Sequence, residues 1–281
     1  MKTTICYAIL LPLIVIIGCK DQSQTLPTSA SRTTSEKANK TIISNKKTTN
    51  HQDDWYWKNT TMSKNNTFEN WKHGPAEVVM EYRLRHNKTV PKTLKVGSID
   101  SDGTITINLP ENIPTETNLA NLSNLVFYDL QELATLNYEN PDAGYFAKTT
   151  LSVVKNGDII GTITLGNSVR VTYNLTNQST LTMGDEGYII SWTYLDEAAS
   201  MKGTENTINQ VRRDGTKSIE AENTVVYELE FKPGWNLVQT EVIGKYDLEH
   251  ERGLNASWFK KHLHKVVLEI PEDAAYYFRL K

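Results

Sequence analysis

The sequence predicts an all-β fold, an antiparallel β-sandwich with one short helix, preceded by a disordered tether. Apolar and polar residues alternate with a period of two in several short segments after Gly74, and this alternation is typical of half-buried strands. Turns that contain glycine, asparagine or proline separate these segments, as they do in antiparallel sheets. A closed β-barrel is the alternative architecture, because the same alternation occurs in both folds.

The segment that begins at Ala76 illustrates the strand pattern. Val78, Met80 and Tyr82 share one face, while Glu77 lies on the other. The same alternation predicts further strands at 105–109, 169–175, 188–194, 225–231 and 266–270. Side chains two residues apart on a strand point to the same side of the sheet. We therefore expect one face of each segment to be buried.

Turn sequences indicate where consecutive strands form hairpins. Asn156-Gly157 lies between two apolar segments and favours a two-residue turn, because both turn positions need a positive φ. Asp102-Gly103 and the segment 232–236 indicate two further hairpins.

One stretch predicts the short helix. Between Glu116 and Phe127, Leu119, Leu122 and Val126 recur at helical spacing. With the strands it completes a globular domain that we assign to residues 71–281. A domain of about two hundred residues is large enough to bury most of its apolar surface without disulfides.

The N-terminal segment resembles the signal sequence of bacterial lipoproteins. An apolar run from Ile5 to Ile17 is shorter than the roughly 20 residues that cross a bilayer as a helix. Gly18-Cys19 closes this run with a small residue before a cysteine. The resemblance implies that residues 1–18 are removed as a signal peptide and that Cys19 carries the lipid. An ordinary secretory signal is the alternative, but no A-x-A-type cleavage site follows.

Residues 19–70 predict a flexible, lipid-anchored tether. Up to about Asn50 they include almost no large apolar side chain, and such a segment cannot bury enough surface to offset its ordering entropy. Trp55, Tyr56 and Trp57 interrupt this composition. We interpret them first as residues that dock onto the domain and second as an exposed platform that stacks on sugar rings. They are the candidate ligand-binding residues.

Composition excludes several classes of partner. The net charge of −3 combines interspersed charges of both signs, so we expect no nucleic-acid partner. The only cysteine besides Cys19 is Cys6, within the signal, which leaves the mature chain without a disulfide. The sequence has no phosphate-binding loop and no G-x-S-x-G nucleophile motif. We expect no cofactor.

Two pairs of carboxylates are the candidate catalytic groups. Asp185-Glu186 and Asp196-Glu197 both flank predicted strands in polar surroundings. We interpret them as solvated turn residues rather than as an acid–base pair with shifted pKa values. Asp196 and Glu197 would supply the carboxylates in the alternative in which the protein is a hydrolase.

Two histidines and one acidic segment have the side-chain types of metal ligands. His262 and His264 are two residues apart, so on a strand they point the same way. A zinc site needs three or four protein ligands, and the nearest others, Glu249 and His250, lie in a separate polar segment. We therefore interpret the histidines as solvent-facing. The sequence from Asp100 resembles the start of a calcium loop, but isoleucine stands where that loop requires glycine. We predict no metal site.

Three turn-rich stretches carry a further resemblance: YLD at 194–196, KGT at 202–204 and FKPGWN at 231–236. Together with the lipoprotein-type signal and the hydroxyl-rich tether, they resemble uncharacterised outer-membrane lipoproteins of Bacteroidota. The resemblance implies attachment to the outer membrane, facing the periplasm or the cell surface. It implies no activity.

The expected function is therefore non-enzymatic binding at the cell envelope. The membrane is reached through the lipid anchor, and the partner of the domain is a glycan or another envelope protein. Two alternatives remain open at this stage. One is the carboxylate-dependent hydrolase, and the other is a barrel that carries a small apolar ligand.

Overall fold

The computed structural model describes residues 59–85, 90–125, 129, 132–177, 184–211, 218–248 and 256–281. The described residues form sixteen strands and one α-helix, α1 (Val169–Asn174). In chain order the strands are β1 (Thr60–Lys64), β2 (Thr67–Phe68), β3 (Ala76–Arg83), β4 (Pro91–Ile99), β5 (Ile105–Ile107), β6 (Ala120–Asn121), β7 (Leu136–Glu139), β8 (Gly144–Lys148), β9 (Leu151–Lys155), β10 (Asp158–Gly166), β11 (Gly187–Leu195), β12 (Ala199–Val211), β13 (Ile219–Phe231), β14 (Gly234–Leu248), β15 (Ala256–Val267) and β16 (Ala275–Leu280). Within these ranges, no helix is long and apolar enough to cross a membrane.

The strands form one large sheet. Its main path runs β5-β4-β3-β9-β10-β11-β14-β15-β13-β12-β7. Off this path, β16 pairs with β10 and β1, and β8 pairs with β11. No pairing among the described residues joins β5 to β7, so the sheet is open. The all-β prediction is confirmed, whereas the closed barrel that was its alternative is not formed.

Local sequence explains several of these elements. The alternation in β3 is confirmed, since Ala76, Val78, Met80 and Tyr82 are buried. The Asn156-Gly157 turn joins β9 to β10, and both of its residues have positive φ. This is the hairpin that the two-residue turn predicted.

The helix α1 lies where the alternation predicted a strand. The hydroxyl of Ser168 caps α1 by accepting a hydrogen bond from the backbone N–H of Val171 (3.4 Å). Arg279, on β16, donates to the carbonyl oxygen of Val169 (3.1 Å) and to the hydroxyl of Thr172 (2.9 Å). The cap and these long-range contacts outweigh the strand preference of the valines.

The helix predicted at 116–127 is wrong. Its described part contains β6 and a single 3₁₀ turn at Leu122–Asn124. Leu122 is buried, so the apolar spacing marked a buried face but not a helix. The C-terminal strand prediction at 266–270 also extends too far, because β15 ends at Val267 and Leu268 is 96% exposed.

The turn at 232–236 is formed, but it does not close a hairpin. The amide side chain of Asn236 accepts from the backbone N–H of Lys232 (3.1 Å) and donates to its carbonyl oxygen (2.8 Å). The strands on either side, β13 and β14, do not pair with each other in the sheet. β15 lies between them, parallel to β13 and antiparallel to β14. β15, which comes later in the chain, therefore occupies the position beside β13 that the hairpin prediction assigned to β14.

The sheet has an apolar core on each side. The first core is formed by buried residues of β2–β5, β9–β11 and β16, and it includes Trp192, which lies in the strand predicted at 188–194 and is 1% exposed. The second core is formed by residues of β7 and β11–β15, by Val171 of α1 and by the turn at Leu122. Neighbouring residues of β14 face different cores, since Leu237 packs on the first and Val238 on the second.

The sheet begins earlier in the chain than the predicted domain boundary. β1 pairs with the C-terminal strand β16, and Phe68 of β2 is fully buried in the first core. Residues 60–68 therefore belong to the domain, although their polar composition placed them in the tether of residues 19–70. Backbone pairing to β16 compensates for the few apolar side chains of β1.

Candidate functional site

Three charged or titratable side chains meet inside the second core. The carboxylate oxygen Oδ2 of Asp129 lies 2.6 Å from Nδ1 of His262 and 2.9 Å from Nε2 of His264. We call these three residues the Asp-His-His cluster. Among the residues that the structure describes, they are the only group of at least three His, Cys, Asp or Glu side chains whose ligand atoms all lie within 4.8 Å of one another.

The sheet positions both histidines. They lie two residues apart on β15 and so share the face that is directed at the second core. The strand register places His264 beside Tyr227 of β13 and Thr240 of β14. Asp129 comes from outside the sheet, in the connection between the 3₁₀ turns at Leu122–Asn124 and Leu133–Thr135.

Neighbouring side chains hold the outer atoms of the cluster. The hydroxyl of Tyr227 donates to Oδ1 of Asp129 (3.2 Å), and the hydroxyl of Thr240 lies 2.9 Å from Nδ1 of His264. The ring of Tyr227 also stacks on His264, with centroids 4.7 Å apart. Phe259 stacks on His262 at 3.8 Å. Each ring is thereby fixed on one face while its nitrogen points at Asp129.

The cluster is closed to solvent. The side chains of Asp129, His262 and His264 are 2%, 0% and 1% exposed. Glu205, opposite Val225 on the neighbouring strand, is also buried. For Asp129 and His262, burial is the largest influence on the pKa, because it disfavours whichever form is charged.

The pKa shifts follow from burial and from the contacts within the cluster. Burial alone would raise the pKa of Asp129, but the charge and hydrogen bonds of His264 and His262 together hold this pKa well below its usual range. Burial lowers the pKa of His262 despite the nearby carboxylate. Burial, then Asp129 and Glu205, raise the pKa of Tyr227. The arrangement thus favours an ionised Asp129, a neutral His262 and a protonated Tyr227.

One atom of the cluster has no hydrogen-bond partner among the residues that the structure describes. Nε2 of His262 is buried and receives no hydrogen bond from any of them. Leaving a buried polar atom without a partner costs about 1–3 kcal/mol. Hydrogen bonding within the described part of the chain therefore does not satisfy the cluster fully.

The structure also places the carboxylates that the sequence predicted as turn residues. Oδ1 of Asp196 accepts from the backbone N–H of Gly144 (2.7 Å), and Oε2 of Glu197 accepts from the side chain of Asn140 (2.9 Å). Asp185 binds Arg170 through a 3.0 Å ion pair. Glu186 accepts from the backbone N–H of Gly244 (2.9 Å). All four join segments that are separate in the sequence, but Asp185, whose side chain is 16% exposed, is not the solvated residue that was predicted.

The interpretation of the histidines as solvent-facing is wrong. The spacing predicted correctly that they share a face, but that face is buried. Lys261 lies on the other side of the strand, and Lys260, two residues before His262, is exposed, so the lysines do not report the environment of the histidines. Asp129 was missed because it is 133 residues away from His262 in the sequence and belongs to no motif.

The other predicted sites lie outside the described residues. These are the lipid-attachment residue Cys19, the aromatic residues Trp55, Tyr56 and Trp57, and the two further metal-ligand candidates Glu249 and His250.

Comparison of the chain with protein-family models, with curated proteins and with solved structures finds no match. Sequence and geometry together are therefore the basis for the function proposed below.

Proposed function

We propose that this chain is a lipid-anchored protein of the cell envelope whose β domain acts by binding a partner rather than by catalysis. The observation that carries the proposal is the N-terminal sequence, in which a short apolar run ends at Gly18-Cys19. Several acyl chains on one cysteine anchor a protein to a membrane far more durably than a single chain does. The outer membrane is the location proposed for the anchor, with the domain facing the periplasm or the cell surface.

The use of the carboxylates supports binding over hydrolysis. Asp196 and Glu197, the groups on which a hydrolase would depend, hold the backbone and the side chain of neighbouring turns. A general acid or base must come within hydrogen-bond reach of its substrate. The Asp-His-His cluster contains suitable groups, but its side chains are closed to a polymer such as a glycan or a peptide.

The proposed partner is a glycan or another envelope protein. Trp55, Tyr56 and Trp57 are the candidate contact residues, because exposed aromatic rings stack on sugar rings and anchor protein interfaces. Trp57 precedes Thr60, the first residue of β1, by three positions. A chain of three residues spans at most about 10 Å, which supports a binding site beside β1 rather than far along a tether.

Replacing the proposed lipid-attachment residue tests the anchor. The full chain with Cys19→Ser, expressed in its host and fed labelled palmitate, should lose the label and leave the membrane fraction. Cys6→Ser is the matched control, since Cys6 lies within the proposed signal and should not be acylated. Label and membrane attachment that persist in Cys19→Ser would overturn the proposal.

A second experiment tests binding against catalysis. The mature wild-type protein is applied to a glycan array and to an envelope extract with a crosslinker, and it is incubated with glycosidic, ester and peptide substrates. We expect a bound partner that the Trp55→Ala/Trp57→Ala double variant loses and that the control variant Leu268→Ala keeps. Turnover that is lost in Asp196→Asn or Glu197→Gln would instead establish the hydrolase.

A further inference from the structure

We propose that Asp129, His262 and His264 bind a divalent transition-metal cation of the Zn²⁺ class. This inference goes beyond the function proposed above and does not depend on the lipid anchor or on the partner of the domain. It replaces the expectation, drawn from the sequence, that the protein has no metal site.

The ligand types suit such a cation. Imidazole nitrogen and carboxylate oxygen are the usual ligands of Zn²⁺ when no cysteine is present. Two histidines with one carboxylate also form a three-ligand set that leaves a further coordination position for water. Mg²⁺ and Ca²⁺ prefer sites made of oxygen atoms, so a site with two nitrogen ligands selects against them.

The three inner atoms converge on one point. Nδ1 of His262 and Nε2 of His264 both approach the same oxygen of Asp129, at 2.6 Å and 2.9 Å. Ligand atoms around a tetrahedral Zn²⁺ lie about 3.3 Å apart, as follows from bond lengths near 2.0–2.1 Å. An outward movement of a few tenths of an ångström at each ligand therefore opens the position for the cation.

Two of the three outer atoms are held as they are around bound metals, and Nε2 of His262 is the exception. A histidine that binds a metal usually has its second ring nitrogen fixed by a hydrogen bond, and Thr240 occupies that position at Nδ1 of His264. The hydroxyl of Tyr227 occupies Oδ1 of Asp129. These contacts leave Nε2 of His264 and Oδ2 of Asp129 directed inward.

A purely hydrogen-bonded role explains the cluster less well. Buried charged groups are often no more stabilising than apolar residues of similar volume, so a contribution to the fold gives no reason for a carboxylate and two imidazoles in this core. Each nitrogen that binds the cation must direct a lone pair at it. Its proton moves to the other ring nitrogen or is released to water.

The test uses the full chain, purified in detergent with an affinity tag that contains no histidine and stripped of metal with a chelator. Zn²⁺ and Co²⁺ are added separately. We expect one equivalent of Zn²⁺ per chain by elemental mass spectrometry, a higher melting temperature with Zn²⁺, and the visible absorption of four- or five-coordinate Co²⁺. The melting temperature rises because a metal ion that binds only the folded state stabilises that state by mass action.

Variants separate the site from adventitious binding. Asp129→Asn keeps the shape of the side chain and should weaken the affinity for Zn²⁺ at least about 100-fold, while Tyr227→Phe, which removes an outer contact, should weaken it about 10-fold. His73→Gln and Asp196→Asn are the matched controls, a histidine and a carboxylate outside the cluster, and should bind as the wild type does.

Two results would overturn the proposal. One is a folded, stripped wild-type protein that takes up less than a tenth of an equivalent of Zn²⁺, whatever the variants do. The other is uptake that persists unchanged in a folded Asp129→Asn protein. If Asp129→Asn does not fold, the wild-type uptake and the intermediate affinity of Tyr227→Phe decide instead.

Discussion

The two cores of the sheet are built from different kinds of residue. The buried side chains of the first core are apolar and aromatic, with Trp192, Met80 and Phe278 among them. The second core contains a comparable set of apolar residues but also surrounds Asp129, His262 and His264. Both cores lie against shared strands, β11 and β14.

The difference indicates which side of the sheet contains functional side chains. Apolar packing stabilises a domain without requiring particular partners, whereas a buried ion pair is often no more stabilising than apolar residues of similar volume. Fold stability therefore accounts for the first core but gives no reason for the charged groups in the second. We infer that the second core is the side on which sequence changes will alter function, and the following predictions test this.

The largest expected effect is in the first core. Trp192→Ala removes an indole that is 1% exposed and should lower the free energy of unfolding by about 3–5 kcal/mol, through lost burial and the cavity left behind. Urea titration measures the change, with far-ultraviolet circular dichroism as the probe because this signal does not depend on the indole that is removed. Leu268→Ala, at a side chain that is 96% exposed, should change stability by less than about 0.5 kcal/mol. Equal losses in both variants would contradict the assignment of the first core.

In the second core, the corresponding change removes a charge. Without metal, Asp129→Asn should lower the free energy of unfolding by about 2–3 kcal/mol, because two imidazole rings lose a charged hydrogen-bond acceptor. The measurement is urea titration in the presence of a chelator. Adding Zn²⁺ should increase the difference in the free energy of unfolding between wild type and variant. A difference that Zn²⁺ does not change would mean that the cluster does not bind the metal.

A smaller effect is expected at the edge of the cluster. Tyr227→Phe removes the hydroxyl that donates to Asp129 but keeps the ring that stacks on His264. It should cost about 1 kcal/mol without metal. Thermal melts compared with those of Tyr246→Phe provide the control, since the hydroxyl of Tyr246 contacts only the backbone of Glu222 in the described hydrogen-bond network. A loss as large as that of Trp192→Ala would mean that the ring, not the hydroxyl, has been displaced.

The smallest effect is a pH dependence beside the first core. The hydroxyl of Tyr188 and the amide of Asn167 donate to Asp273, and these bonds lower the pKa of Asp273 below its ordinary value of 3.8. A group with a lowered folded pKa contributes stability above its unfolded pKa and loses it as the pH falls through the folded value. Wild-type stability should therefore fall more steeply than that of Asp273→Asn below about pH 4. The free energies of unfolding of both proteins are measured by urea titration at pH 3 to 6. If they change in parallel with pH, the lowered pKa of Asp273 is contradicted.

The sequence predicted what depends on local pattern. β3, β11 and β13 follow from alternation, and the Asn156-Gly157 hairpin follows from the φ values that its turn requires. Trp192 lies on the strand face that alternation predicts to be buried, together with the buried Tyr188 and Ile190. These features require no knowledge of residues distant in the chain.

The rest depends on contacts between distant residues. α1 carries strand-like alternation and is held by Arg279, which is more than one hundred residues away. The strand beside β13 could not be identified from the turn at 232–236, because β15 enters the gap from further along the chain. The Asp-His-His cluster was missed for the same reason: its carboxylate and its imidazoles come from separate parts of the sequence.

The insertion of β15 between β13 and β14 has a consequence for folding during synthesis. β13 is complete when Phe231 is made, but its neighbour on that side is complete only at Val267. At about 5–20 residues per second this interval lasts about 2–7 s, during which two strand edges have no partner and are prone to pair with other chains. β16 pairs with β1 and β10, and β3 pairs with β9, so many strand contacts join distant parts of the chain and we expect slow folding. We therefore expect the nascent protein to need a holding chaperone until its last strands emerge.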